Sequence, residues 1–346
     1  MLSRLLLRLA PSLLTLSCLG MVIVIWFDLP LRIPAIDETA LHSFKIIFLS
    51  LILEAFPFIL LGVLVSSLLQ VFVSDRMIQR LTPRQPVLGV LFGSLLGVIF
   101  PLCECGMIPV VRRLIRKGMP AYIGIVFILA GPIVNPVVYS STFMAFRNTP
   151  ALAYSRMGLA LAVTITIGLL LYRYMRRNPL REHLPQSAMA QVVGPGHDAD
   201  HSHAHPANRA QGRFTAILGH ASDEFFEMGK YLIFGALLTA LIQTSLPREA
   251  LSGIGEYAWL SPIFMMGFAF LLSICSTSDA FVAASFAGSF NSDALLAFLV
   301  FGPMIDLKNT LMLLAVFRTR IVLTLIVLCF VLVLIGSYMF HVAVFT

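Results

Sequence analysis

Long apolar runs separated by short polar segments fill most of this chain. The runs lie at 1–27, 45–73, 119–146, 151–173, 225–245, 294–317 and 321–344. They reach or approach the roughly 20 residues that an α-helix needs to cross a bilayer. They are continuous rather than alternating, which excludes a membrane β-barrel. The pattern therefore predicts an all-α polytopic membrane protein with about seven full transmembrane helices.

The first run, Met1–Phe27, begins with Arg4 and Arg8 and is then apolar for a length sufficient to span a membrane. A cleavable signal peptide has a shorter apolar region and a small-residue cleavage site. We therefore expect an uncleaved first transmembrane helix.

Two further apolar runs, 87–101 and 258–274, are too short to be trusted as crossings. The first leads into the segment Phe100–Pro109, where two Pro and one Gly make a regular helix unfavourable. The second leads into Cys275–Asp279 and then a short apolar stretch. Because lipid cannot satisfy free backbone amides, a broken polar segment at this depth usually lines a cavity. We expect both runs to form re-entrant hairpins, which enter and leave on one side.

The 24 Lys and Arg residues, which give the chain a net charge of +7, divide unevenly between the two sides of this arrangement. Most fall on one side, near residues 4–8, 76–84, 112–117, 173–213 and 318–320. The other side receives Arg32, Lys45, Arg147, Arg156 and Arg248. Cytoplasmic loops of membrane proteins are enriched in cations. We therefore place the N-terminus in the cytoplasm and the C-terminus outside the cell inner membrane, and we attribute the positive charge to topology rather than to nucleic-acid binding.

The two halves of the chain resemble each other. Glu54–Gln70 and Glu227–Gln243 share Glu, Gly, Leu and Gln in the same register, and Phe127–Asn135 is similar to Phe298–Asp306. The charge distribution starts the first copy outside and the second inside. Inverted repeats with broken helices and a site near the midplane are typical of secondary transporters. We expect two inverted membrane repeats.

Four segments follow from these patterns. Residues 1–44 form the first transmembrane helix and an external loop, 45–173 the first membrane repeat, 174–214 a disordered cytoplasmic linker and 215–346 the second repeat. The linker contains His197, His201, His203 and His205. Such a tract can hold Zn(II) or Ni(II) loosely, or it can serve only as a solvated tether between the halves.

The first hairpin tip contains Cys103, Glu104 and Cys105. In an extended segment alternate side chains point the same way, so the two thiols would face one ligand together. Thiolates suit soft species such as Zn(II), Cu(I) or trivalent arsenic, and Glu104 could hold a proton or a cation. The alternative is that both thiols only fill tight packing. Most of the five cysteines lie in apolar runs, so a disulfide framework is not expected.

The second hairpin tip contains Cys275, Ser276, Thr277 and Asp279, which would complete the site from the opposite side. Ser and Asp are also common helix N-caps, so Ser278 or Asp279 could simply start the following helix. The two roles are compatible, because a half-helix N-terminus is itself a binding site for anions and substrates.

The Gly-Pro breaks of the two repeats are followed by Asn135 and by Asp306, Lys308 and Asn309. Asn135, Asp306 and Asn309 would supply oxygen atoms to a substrate. Asp306 and Lys308 could form a proton or ion relay, or a structural pair that lowers the cost of burying charge.

The stretches Pro101–Pro109, Arg112–Pro120 and Gly131–Pro136, together with Cys275–Ala280 and Gly302–Asp306, resemble the signature of a bacterial family of permeases. That family includes ArsP-like organoarsenical efflux permeases. The resemblance covers about 45–344. It implies a cytoplasmic-membrane permease whose cysteines bind trivalent arsenicals or soft metals. It also implies that a small accessory membrane protein is a partner of some members.

These observations together predict a secondary permease that moves a small solute, a soft metal or a metalloid species outward. No ATP-binding motif and no cofactor motif is visible, so we expect no cofactor and a gradient or another chain as the driving force. The alternatives are a membrane-embedded thiol or redox enzyme that uses Cys103 and Cys105, or a permease for a different anion or organic solute. Gly and Ala in the spans allow the close packing of a homodimer, although no face stands out.

Overall fold

The structure is a computed structural model that describes residues 38–83, 85–99, 103–174, 180, 209–245 and 260–345. These residues are almost entirely helical and contain no β-strand, only an isolated bridge between Leu180 and Phe317. The predicted helix at 1–27 and the four histidines of the linker lie outside the described residues. The helices are α1 Glu38–Phe72, α2 Asp75–Leu81, α3 Pro86–Ile99, α4 Glu104–Arg116, α5 Ala121–Ala130, α6 Pro136–Ala145, α7 Ala151–Tyr174, α8 Arg209–Ser245, α9 Ser261–Leu272, α10 Asp279–Ser285, α11 Ser292–Met304, α12 Leu307–Val316 and α13 Thr319–Phe345.

Five segments in the described part of the chain are long and apolar enough to cross a membrane. They are Leu41–Gln70, Ala151–Tyr174, Ala221–Thr244, Ser292–Val316 and Thr319–Phe340. The all-α polytopic class is therefore confirmed. The predicted span 119–146 is instead divided into α5 and α6, of ten residues each. The break follows Gly131-Pro132, where proline removes a backbone donor.

Two boundaries differ from the sequence-based expectations. α8 begins at Arg209, inside the segment expected to be a disordered linker. The expectation that Phe100–Pro109 avoids regular helix is wrong for its described part, because α4 starts at Glu104 and continues through Gly106 and Pro109. The Cys103 carbonyl accepts the amides of Gly106 and Met107 at 3.1 and 3.2 Å. Pro109 is the sixth residue of α4, so it costs the helix a single hydrogen bond, which tertiary packing offsets.

Close glycine contacts define how the first hairpin is arranged. A Cβ on Gly89 would lie 2.6 Å from the Tyr122 hydroxyl, and one on Gly97 would lie 2.7 Å from the Gly131 Cα. α3 therefore runs parallel to α5. Gly131 in turn faces the Met107 side chain, while Gly124, about two helix turns nearer the start of α5, faces Val111 and Ile115 further along α4. α4 therefore runs antiparallel to α5, and the start of α3 and the end of α4 lie at the same end of the bundle.

The second hairpin has the same course. Phe268 of α9 lies 6.2 Å from Phe298 of α11, measured between ring centroids, and Ala269 faces Gly302. These contacts make α9 parallel to α11. Phe290, which follows α10, stacks on Phe264 near the start of α9, again at 6.2 Å. The chain thus returns after α10 to the end of the bundle at which α9 began.

The helices fall into two packed groups. α3, α5, α7, α9, α11 and α13 pack against one another in one group, and α1 and α8 pack against each other and against α4 and α12 in the second. α1 and α8 are antiparallel, and Phe44, Phe48 and Leu51 bury their side chains against Ala236 and Ala240. The short helices α6 and α10 pack against each other. This division places α4 and α12, the helices that follow two of the breaks, beside α1 and α8.

The contact between α1 and α4 yields a first prediction. A Cβ on Gly62 would overlap the backbone of Gly106, which cannot move as a flexible side chain could. We expect Gly62→Ala to destabilise the protein by roughly 1–3 kcal/mol, the usual cost of overpacking. Gly158→Ala is the matched control, since nothing lies within 4 Å of its Cβ. Thermal unfolding in detergent would measure both variants, and equal midpoints would contradict the close approach.

Candidate functional site

Four helices begin inside the bundle, each just after a break in the chain. Their N-cap residues are Cys103 for α4, Asn135 for α6, Ser278 for α10 and Asp306 for α12. The start of a helix exposes unpaired amides and the positive end of its dipole. Buried acidic side chains are therefore stabilised there, and Glu104 and Asp279 are the first residues of α4 and α10.

The thiols of Cys103 and Cys105 lie together at the start of α4. Their side chains are hydrogen-bonded to each other. The sequence argument put both in an extended segment, and this was wrong, because Cys105 is the second helical residue. The thiols nevertheless meet, since the extended backbone of Cys103 precedes the first turn of the helix. Cys105 is buried and Cys103 is partly exposed.

Glu104 joins this thiol pair to the second half of the chain. Its side chain is 3% exposed, and one of its carboxyl oxygens has no hydrogen-bond partner among the described residues. It interacts electrostatically with Asp306, Lys308 and Cys275. The structure therefore brings together residues that both hairpin tips and one helix break contribute.

Glu54 is a member of the same cluster. It lies on α1 and interacts electrostatically with Cys105, Cys275 and Lys308. Its partner in the sequence repeat, Glu227, instead lies near the start of Ala221–Thr244, the apolar span of α8, and pairs with Arg112 at 2.8 Å. Two glutamates in the same register thus have different surroundings.

Asp306 and Lys308 do not form the close ion pair that the sequence suggested, among the contacts of the described residues. Asp306 is the N-cap of α12 and accepts the amide of Asn309. Lys308 is buried two residues later, and its Nζ donates to the Ser273 carbonyl at 3.4 Å. The Asp306 carboxylate points at the amides that start α12, whereas Lys308 Nζ points at the Ser273 carbonyl, so the two side chains point in different directions. Lys308 interacts electrostatically with both Asp306 and Glu104.

Asn135 and Asn309 differ in what their amides do. Asn135 accepts the amide of Val138 at 2.8 Å, which caps α6, and donates to the Gly131 carbonyl at the end of α5 at 3.1 Å, so both its polar atoms are engaged. Asn309 is 1% exposed, and neither its amide oxygen nor its amide nitrogen has a partner among the described residues. A buried amide of that kind is costly unless a ligand or water satisfies it.

Asp279 is held by an arginine that the sequence argument had placed in an external loop. Arg156 is fully buried in α7, and its Nη2 lies 2.7 Å from Asp279 Oδ2. The same guanidinium donates to Thr142 Oγ1 at 2.7 Å and to the Ser276 carbonyl at 3.2 Å. Arg156 therefore lies inside the helix bundle rather than in a loop. Ser278 is the N-cap of α10 and Asp279 its first residue, as the alternative expected, although the Ser278 side chain makes no capping hydrogen bond.

The remaining residues of the second tip lie beside this ion pair. Ser276 is buried, and the Cys275 sulfur lies 3.6 Å from Thr277 Oγ1. Cys103, Cys105, Cys275 and Cys329 are all free thiols. Among the described residues no group of three or more His, Cys, Asp or Glu is arranged to hold a metal ion.

Comparison with known proteins agrees with this architecture. The model of the ArsP_1 family, described as a predicted permease, matches residues 40–342. The chain belongs to this permease family. UPF0718 protein YcgR of Bacillus subtilis is 46% identical over 291 residues, which are 84% of this chain and 94% of that protein.

A second relative comes from Streptococcus mutans. It is named "Putative two-component membrane permease complex subunit" and is 38% identical over 277 residues, 80% of this chain and 88% of its own. No solved structure matches the chain significantly. The family and the five apolar helices together make this a multi-pass membrane protein.

Sequence reasoning missed Arg156, Thr142 and Ser273 in this permease. A signal for Arg156 was available, since an arginine inside the apolar run 151–173 is costly in a membrane unless a partner is near. Nothing comparable marks Ser273, which takes the left-handed conformation with φ 47° at the end of α9 and accepts the Lys308 amide at 3.4 Å.

The Arg156–Asp279 pair yields a second prediction. Arg156→Met would leave the Asp279 carboxylate buried without its partner, which typically costs 3–5 kcal/mol. We expect a large drop in the thermal midpoint of the purified protein. The double variant Arg156→Met/Asp279→Asn should recover most of the loss, because it removes both charges. A double variant as unstable as the single one would contradict the pairing.

Proposed function

We propose that this permease is a secondary transporter that exports a small species with a soft, thiol-binding atom, such as a trivalent arsenical or a soft metal ion. The observation that supports this most is the hydrogen-bonded pair Cys103–Cys105 beside Cys275. Thiol sulfur prefers soft ions, and two adjacent thiols can bind a species that needs only two protein sulfurs. Family membership by itself leaves the substrate open.

The proposed substrate site extends from the thiols to the groups around them. Cys103, Glu104, Cys105 and Cys275 face the substrate, and the unpaired amide of Asn309 offers it a polar contact. Ser276, Thr277 and Asp279 flank the site, and Asn135 shapes it as the cap of α6. Glu104 and Asp306 place two carboxyl groups near the single amine of Lys308. A proton or a monovalent cation would neutralise the carboxyl group that Lys308 leaves uncompensated, and we propose that Asp306 and Lys308 take part in coupling transport to such an ion.

The fold is proposed to contain two inverted repeats, 45–173 and 215–346, each with a re-entrant hairpin. Matching contacts support this arrangement. α3 is parallel to α5 as α9 is to α11, and α4 packs on α12 as α10 packs on α6. Each hairpin helix thus packs on the broken helix of the other repeat. Both helices of each hairpin are also shorter than a membrane crossing.

The cation-rich ends of the helices are proposed to be cytoplasmic. Contacts among them support a common side: Lys117 donates to the Gln70 carbonyl, Arg113 pairs with Glu224, and Tyr122 contacts Tyr172. The Leu180–Phe317 bridge brings the ends of α7 and α12 together as well. By the positive-inside rule, this side faces the cytoplasm of a cell inner membrane. The C-terminus then lies outside.

An accessory membrane subunit is proposed as a partner. The Streptococcus mutans relative is named as a subunit of a two-component permease complex, which supports this assignment. A homodimer is the alternative assembly, and size measurements on the purified protein alone and with co-purifying chains would separate the two.

Uptake into sealed, everted vesicles tests the proposed substrate class. We expect thiol-dependent accumulation of methylated As(III), arsenite or Zn(II). Cys105→Ser should lose about tenfold or more of it, because one of the soft thiol ligands is removed. Cys329→Ser is the matched control, since Cys329 is equally buried but lies in α13.

Two outcomes would contradict this prediction. Transport that is the same in Cys105→Ser and Cys329→Ser would remove the thiols from the substrate site. Activity that persists in detergent, without a sealed compartment, would favour the thiol or redox enzyme instead.

A further inference from the structure

Ion pairs and a hydrogen bond connect α4 to both long helices, α1 and α8, near the end of α4. Arg112 Nη1 lies 2.8 Å from Glu227 Oε2, and Arg113 Nη2 lies 3.4 Å from Glu224 Oε2. Ser66 of α1 donates to the same Glu224 oxygen at 2.8 Å. The Arg112, Arg113 and Glu224 side chains are at most 17% exposed, and that of Glu227 is 30% exposed. This group of ion pairs connects α4 and α1 of the first repeat to α8 of the second.

A cavity of about 390 Å³ lies at the opposite end of the same helices. Its walls include Ile47 of α1, Gln243 of α8, Leu272 of α9 and Ser285 of α10. Ile274, which precedes Cys275 of the candidate site, also lines it. The cavity thus lies next to the second hairpin tip.

Helix geometry gives the distance between the two features. Ile47 and Ser66 are 19 residues apart in α1, and Glu224 and Gln243 are 19 residues apart in α8. At 1.5 Å per residue, each interval is about 28 Å, close to the thickness of the hydrocarbon core of a bilayer. The ion pairs and the cavity therefore lie at opposite faces of the membrane, with the thiols between them.

We infer that Arg112 and Arg113 with Glu224 and Glu227 form the closed gate of the substrate pathway, and that the cavity is its open mouth at the other face. This rests on the proposed permease function. In the proposed repeats, α4 corresponds to α10 and α12 to α6. α4 and α12 are covered by α1 and α8, whereas α6 and α10 pack on each other beside the cavity. In a second state, α6 and α10 become covered and α4 and α12 become uncovered. The gate is then open and the mouth is closed.

The residues at the two ends explain why only one gate needs ion pairs. The positions of α10 that match Arg112 and Arg113 are Ala284 and Ser285, so they offer no charge to α8. At these two positions the mouth can therefore close without an ion pair. At the charged gate, by contrast, α4 is uncovered once Arg112 and Arg113 lose their ion pairs with α8.

Site-specific labelling tests this inference without any substrate. Single-cysteine reporters are placed at Ser285→Cys in the mouth and at Val63→Cys, which is 1% exposed on α1, in a background without native cysteines. A membrane-impermeant maleimide is added to either face of sealed vesicles. We expect Ser285→Cys to react from the face opposite Arg112 and Val63→Cys to be protected.

Opening the gate should then expose the second reporter. Adding Glu227→Gln should raise the labelling rate of Val63→Cys from the Arg112 face by about tenfold, a shift of about 1.4 kcal/mol in the gate equilibrium. Asp75→Asn is the matched control, because Asp75 pairs with Lys117 at 3.8 Å within the first repeat and is 70% exposed. Labelling of Ser285→Cys from the Arg112 face, or no effect of Glu227→Gln beyond that of Asp75→Asn, would overturn the gate.

A reversible lock guards against misfolded variants. Arg112→Cys/Glu227→Cys, joined by a bifunctional thiol reagent with a reducible linker, should stop uptake, and reductant should restore it in the same vesicles. Uptake that continues in the crosslinked protein would also overturn the gate. If labelling follows the expected pattern but no thiol-binding species is transported by any variant, the gate stands and the proposed substrate class fails.

Discussion

A helix that ends inside a membrane leaves backbone amides and carbonyls without partners, and lipid cannot supply any. Four helices of this permease start inside the bundle after a break in the chain, so each break must be surrounded by protein. The two hairpins and the two Gly-Pro breaks satisfy that constraint by packing against one another across the halves of the chain. The polar groups of the candidate site lie at these breaks because the free backbone groups there need polar partners.

The two hairpin tips satisfy the same constraint by different chemistry. The second tip is fixed by Arg156, whose guanidinium contacts Asp279, Ser276 and Thr142. The first tip holds two thiols and Glu104 opposite Lys308, and it has a carboxyl oxygen without a partner. Both tips keep a buried carboxyl oxygen without a partner among the described residues, Glu104 Oε1 at the first and Asp279 Oδ1 at the second. The first tip is the more suitable place for a soft substrate because it holds the two adjacent thiols.

The sequence predicted the helical membrane class and the positions of the breaks, because apolar length and Gly-Pro pairs are local signals. It also selected the residues of the first tip, where Cys105 proved to be near Asp306 and Lys308. It did not predict the helical backbone that begins between Cys103 and Cys105, because tertiary packing overrode the helix-breaking tendency of Gly106 and Pro109. It failed for Arg156 as well, since a charge near the end of an apolar run can lie in a loop or in the core, and only the position of Asp279 decides between them.

The single Arg156–Asp279 pair also bears on the ancestry of the chain. In the repeat register, Arg156 corresponds to Val327 and Asp279 to Met107, so the other half has no counterpart of this pair. A protein made from two identical copies of the first half would bury two arginines, each opposite a methionine. The present halves are therefore not interchangeable, and the two copies of a duplicated ancestor must have changed at these positions after the duplication.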